Sequence, residues 1–122
     1  MNGKVRTSAN RESAEETLTS AQAMTSLLST SLSGINAAQL SMSASATNIA
    51  NLGVDGFRRE QVQMSADAPA GVTATLGQAA SPGEDLAADV VGLLQAKNAM
   101  LANVAVFKSA ARTTGTLLDV FG

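Results

Sequence analysis

The stretch LSTSLSGINAAQLSMSASATNIANLGVDGFRR, residues 28–59, decides how this chain folds. Leu28, Leu32, Ile35, Gln39, Met42, Ala46 and Ile49 recur at alternating four- and three-residue steps. That spacing stacks side chains on one face of a helix packed against a partner helix. The flanks are small or polar, with Ser31, Gly34, Ala37, Ala38, Ser41 and Ala44 among them. Small flanks admit a close neighbour but bury little area, so this helix needs a partner to be stable. It is predicted to stop at Gly53, the residue that can turn left-handed past the last helical turn. Asp55-Gly56 predicts a second turn before Phe57-Arg58-Arg59.

Ser81-Pro82-Gly83-Glu84 predicts the start of a second helix. Ser81 can cap its free amides, Pro82 suits the first helical position, and Glu84 can close a capping box. Asp85 adds negative charge at the positive helix end. The seam that follows runs Leu86, Val90, Leu93, Lys97, Met100, Val104, Phe107, Ala111, Thr114, Leu118, Phe121, and its end, Leu118 and Phe121, is expected at a subunit interface. Beside it lies a second row, Val91, Leu94 and Leu101, with Val106 as a further apolar side chain. One partner helix covers one row. The remaining apolar residues therefore predict contact with other subunits.

Between the helices, Phe57 to Met64 and Val72 to Leu76 carry partial alternation and predict a two-stranded hairpin. Ser65 to Gly71 is a turn-rich connector. Arg58, Arg59 and Glu60 form a charge cluster that reads either as simply solvated or as a docking point for a partner. Residues 1–24 carry no seam, and their composition buries too little apolar surface to offset chain entropy, which predicts a disordered tail. The fold class is mainly α: an antiparallel two-helix coiled-coil hairpin with a short β or loop insertion. Its single domain spans 25–122, with helix 25–52, insertion 53–80 and helix 82–119. With Ile49 near Leu86 to Val90, the numbers of facing residues sum to about 137. Gln39 then lies opposite Lys97 or Asn98. Either the two form a polar layer that penalises slipped registers, or Lys97 snorkels to solvent and Gln39 sits at a seam edge.

Composition narrows the chemistry. A net charge of −2 without any basic run argues against nucleic acid as a partner. His, Cys, Trp and Tyr are absent, so thiol nucleophiles, imidazole bases and the usual zinc ligand sets are excluded. Gly-rich phosphate loops and nucleophile motifs are missing, so neither catalysis, a cofactor nor a small-molecule ligand is expected. Glu84, Asp85 and Asp89 read as charges serving the helix dipole. No uninterrupted apolar run nears the ~20 residues that cross a bilayer, so no transmembrane segment is expected. The N-terminus lacks the apolar core of a secretory signal peptide.

Three pieces of the opening stretch carry a resemblance. Ser33-Gly34-Ile35 with Ala37-Ala38, then Asn48-Ile49-Ala50-Asn51, then Gly56-Phe57-Arg58-Arg59 resemble the N-terminal signature of bacterial flagellar rod and hook proteins. Val54 departs from it, standing where that family has Thr. Ala99-Met100-Leu101-Ala102-Asn103-Val104, Phe107-Lys108 and Gly115-Thr116-Leu117-Leu118-Asp119 resemble the family's C-terminal signature. Met100 stands there in place of an aromatic ring, and Lys97-Asn98 in place of Gln-Arg. Asn48, Asn51, Gly56, Phe57 and Asn103 are the motif positions. The short insertion points to a small rod-type subunit.

The resemblance implies a structural protein of the flagellar basal body. Such a chain passes unfolded through the flagellar export apparatus without a cleaved signal peptide. It then assembles with itself and with other rod subunits into the helical tube that crosses the periplasm and transmits torque for motility. A soluble helical-hairpin adaptor or export chaperone is the alternative. The segment before Met24 reads either as an extension ahead of the true start or as the unfolded end of an exported chain.

Overall fold

The computed structural model describes residues 2–69 and 71–121, with side chains over 7–69 and 71–120. Helix α1 runs Asn2–Ala50, strands β1 and β2 run Glu60–Ala66 and Val72–Gln78, and helix α2 runs Leu86–Phe121. This is the mainly helical architecture that the two seams predict, with a small hairpin between the long helices.

Helix α1 starts far earlier than expected. Residues 7–23, read from composition as a disordered tail, are its first turns and are exposed throughout. Such residues bury nothing, as their composition implies. They are helical because a helix nucleated downstream extends one residue at a time without a fresh nucleus. Ala9, Glu12, Ala14, Glu15, Glu16, Ala21 and Ala23 also favour that state.

The end of α1 follows its glycines. Gly53 has φ 83° and Gly56 φ 75°, both in the left-handed region. The amide of Val54 donates to the Asn51 carbonyl at 3.1 Å, so backbone alone closes the turn. Helix α2 begins at Leu86 rather than at Pro82, because Asp85 is the cap: its Oδ1 accepts the Ala88 amide at 3.0 Å. Glu84 turns away and accepts the amide of Gly53. Residues 79–83 are held instead against the chain leaving α1. The Ala79 amide donates to Arg59 and the Gly83 amide to Phe57.

The two strands pair antiparallel, with Val62 opposite Leu76 and Ala66 opposite Val72. Their backbones approach α1 and stay clear of α2. One end is fixed by the Val72 amide donating to Ser33 Oγ at 3.1 Å. There Gly71, at φ 116°, passes so close to Thr30 and Ser33 that no side chain fits.

The helices run antiparallel in the expected register. Asn48 meets Asp89, Ser45 meets Gly92 and Gly34 meets Asn103, each pair adding to the expected value of about 137. The face turned inward is different. Alternate seam positions are replaced by the residue just before them: Ser31 for Leu32, Ala38 for Gln39, Ala96 for Lys97 and Ala110 for Ala111 are the buried ones. Leu32, Leu86 and Val90, all expected in the seam, are exposed. Leu28, Ile35, Met42, Ile49, Leu93, Met100, Val104 and Phe107 are half-buried along it.

A small-residue contact explains the rotation. Ala37, Ala38, Ala44, Ala96 and Ala110 form the core, and no large side chain is fully buried among the described residues. Two backbones that approach closely have room for methyl and hydroxymethyl groups only, so the bulky residues flank the contact instead of filling it. Gln39 and Lys97 are both exposed, which excludes the buried polar layer and fits the snorkelling alternative.

By length and composition, Leu86–Val120 of α2 is apolar enough to cross a membrane. Its Ala, Val and Leu content reaches that level although Lys97 and Asn98 interrupt the apolar run.

Candidate functional site

A polar clasp forms where three segments converge. Asn48 lies in the last turns of α1, Arg59 and Glu60 at the start of β1, and Asp89 in the first turn of α2. Asn48 and Asp89 are each only 4% exposed. Asn48 Nδ2 donates to the Glu60 carbonyl and to Asp89 Oδ1, both at 3.0 Å, while its Oδ1 accepts the Glu60 amide at 2.7 Å. Arg59 grips Asp89 with two groups, Nη2 to Oδ1 at 2.6 Å and Nε to Oδ2 at 3.2 Å. Every buried side-chain nitrogen and oxygen among the described residues has a partner.

The electrostatics follow from this geometry. Burial alone pushes the Asp89 carboxyl up. The hydrogen bonds from Arg59 and Asn48, with the Arg59 charge, outweigh it and hold the group below the usual carboxylate range. The hydrogen bond to Asp89 raises Arg59 above its ordinary value against the opposing effect of burial. A paired, fully hydrogen-bonded charge of this kind specifies one arrangement of helix ends and hairpin, since losing either partner strands the other.

The sequence assigned these residues elsewhere. Asp89 reads there as a dipole charge and Arg59 as solvated, yet together they form the sole ion pair among the described residues. The available signal was positional. Asp89 shares a heptad position with Ala96, Asn103 and Ala110, so it sits on the small-residue face and must be paired.

Two motif fragments from opposite ends of the chain also meet. The position where Gly34 lacks a Cβ faces the carboxamide of Asn103, at 2.6 Å from its Oδ1. Asn103 Nδ2 donates to Ala99 on its own helix at 2.8 Å. Asn51 caps α1 locally, its Nδ2 donating to the Thr47 carbonyl at 2.8 Å, and Phe57, six residues on, is half-buried. An open groove of about 660 Å³ separates the hairpin from α2, floored by Ala38, Ser41, Ser45, Gly92 and Ala96.

The outward side of α2 is the other distinctive surface. Val91, Leu94, Leu101 and Val106 are exposed, Leu94 at 54% and Leu101 at 59%, and Leu118, in line with Met100 on the seam side, is exposed near the end of the helix. The side chain of Phe121 lies outside the described residues. Helix α1 has no charged residue from Thr17 to its end at Ala50. The chain matches no known family model and no curated protein.

Proposed function

We propose that this chain is a structural subunit of the bacterial flagellar basal-body rod. In this reading it is exported unfolded and assembles with itself and other rod subunits through its two long helices. The observation that carries the proposal is the uncovered apolar row of α2, Val91, Leu94 and Leu101, on a helix whose opposite face is already used by α1. A soluble chain leaves such a row open where another protein surface is to cover it. The signature residues support the reading by their placement. Asn48 locks the hairpin to both helices, and Gly34 gives Asn103 the space to bring the two ends together.

Function then follows mechanically. Interdigitated helices spread torque over many small contacts, and a heterologous, non-closing interface extends into a helical tube. The test is sedimentation of the purified chain at rising concentration, alone and with other rod subunits. A rod subunit associates progressively. A chain that stays monomeric alone and forms a discrete one-to-one complex with a single partner is an adaptor or export chaperone instead.

A further inference from the structure

We propose that the outer edge of β1 takes up an extended, uncharged segment of a partner protein, which pairs with Val62 and Met64 as a third strand lying over α2. This surface is separate from the outward row of α2, so it stands or falls independently of the rod reading.

Alternation along β1 defines the edge. The Ala79 amide donates to the Arg59 carbonyl, and with the strand register this turns the N–H and C=O of Arg59, Gln61, Gln63 and Ser65 toward β2. Those of Glu60, Val62 and Met64 therefore point outward. Asn48 takes both groups of Glu60. The outward N–H and C=O of Val62 and Met64 find no partner among the described residues, so they continue a pairing that Asn48 has already begun. From Gln61 to Ala66 the strand has no charge, proline or bulge, the devices that keep an edge unpaired.

The surroundings select the occupant. Both strands lie against α1 and stay clear of α2. A strand added beside β1, about 4.8 Å away, extends the sheet over α2. The groove of about 660 Å³ lies there, with Gly92, Ala96 and Ala99 of α2 along it, and of β2 only Val72 lines it. Two strands make a marginal sheet, and a third one over a helix strengthens it. The groove is the size of a ligand pocket, whereas a folded partner or a second copy needs about 800 Å² on each side. A single strand fills such a groove, while a second copy has to bring a hairpin two strands wide.

Charge narrows the segment further. Arg59 and Asp89 neutralise each other at one end of the groove. The floor of Ala38, Ser41, Ser45, Gly92 and Ala96 carries no charge. A charged side chain turned toward it loses water without gaining a partner, so the residues facing the floor are apolar. Every second residue of a strand faces that way, and β-branched side chains suit a half-buried pleat. Edge pairing of this kind takes its affinity from the main chain.

The full chain and a blocked peptide, Ac-Thr-Val-Thr-Val-Thr-Val-Thr-amide, test it by titration and hydrogen exchange. Binding should protect the Val62 and Met64 amides and leave that of Gln61, already paired with β2, unchanged. Met64→Pro removes an outward donor and costs the hairpin no ladder bond. It should weaken binding about tenfold or more, whereas Met64→Thr should bind like the parent, because recognition is by backbone. Ala99→Phe, at an exposed groove position, should also block the peptide, and it decides the matter if the proline variant loses Gln61 protection. Absence of binding at millimolar peptide overturns the proposal. So does normal binding by a Met64→Pro chain that keeps its Gln61 protection, or by Ala99→Phe. Protection at Ala74 and Leu76 instead puts the peptide on the other edge and overturns it as well. Val62 and Met64 protection that rises with protein concentration without peptide overturns it in favour of a second copy.

Discussion

Asn48 and Glu60 exchange two hydrogen bonds, side-chain amide to backbone carbonyl at 3.0 Å and backbone amide to side-chain oxygen at 2.7 Å. The carboxamide thus stands in for a neighbouring strand at the first residue of β1. A two-stranded hairpin is marginal by itself, and this pairing anchors it to the helix that precedes it. The same nitrogen reaches Asp89, so the end of α1, the hairpin and α2 are held at one point.

Asn48→Ala should therefore lower stability by about 1–3 kcal/mol, because it leaves buried partners unsatisfied. Urea unfolding followed by circular dichroism measures the loss. Hydrogen exchange locates it: the Glu60 amide should lose protection while amides near Ala110 keep theirs. Unchanged protection at Glu60 would falsify the anchoring role. Asn48→Asp should be worse than Ala near neutral pH, since it sets a second carboxylate against Asp89.

Acid should open the clasp. Asp89 is held below the usual carboxylate range, so in acid the unfolded chain binds a proton before the folded one does. Its contribution is complete above the unfolded value of about 4 and is lost as pH falls through the lower folded value. Arg59 is raised and stays charged throughout that window. Thermal unfolding of the parent should shift downward below pH ~4, and Asp89→Asn should be less stable at neutral pH with a flatter acid limb. An equal acid loss in parent and variant would place the titration elsewhere.

Glycine positions separate close approach from mere flexibility. Gly71→Ala puts a methyl against Ser33 and Thr30 at a positive φ, and should cost about 1–3 kcal/mol. Gly115 has open space around it in α2. Gly115→Ala should accordingly stabilise the chain by about 0.5–1 kcal/mol. Paired denaturation curves decide the matter, and a stabilised Gly71→Ala would mean the hairpin does not lie on α1 there.

Leu94→Lys and Leu101→Lys should leave helicity unchanged and abolish association, because both side chains point away from α1. For the proposed rod subunit, complementation of a motility-null strain gives the cellular readout. Full motility with both variants would show that the outward row is not an assembly surface.

Much of this protein is legible locally. Gly53 ends α1 and Gly56 makes the turn after it because only glycine enters the left-handed region without a penalty, and nothing distant can change that. The antiparallel pairing and its register follow from two seams joined by an insertion of fixed length. The boundary errors are local as well: Asp85 outcompetes Ser81 for the cap, and a nucleated helix runs on through residues that could not fold alone.

Which face turns inward is a different kind of fact. Periodicity weighs side chains by hydrophobicity, so it favours Leu32 and Val90 over Ser31 and Asp89. The folded contact weighs them by size, because it is formed by two backbones drawn close, and there Ala38 and Ala96 fit where larger groups do not. The clasp depends on that outcome. Arg59 and Asp89 are 30 positions apart, with a hairpin between them, and no local pattern links them. Once the small-residue face turns inward it carries Asp89 out of water, and only the tertiary packing of β1 against α1 brings Arg59 within reach to neutralise it.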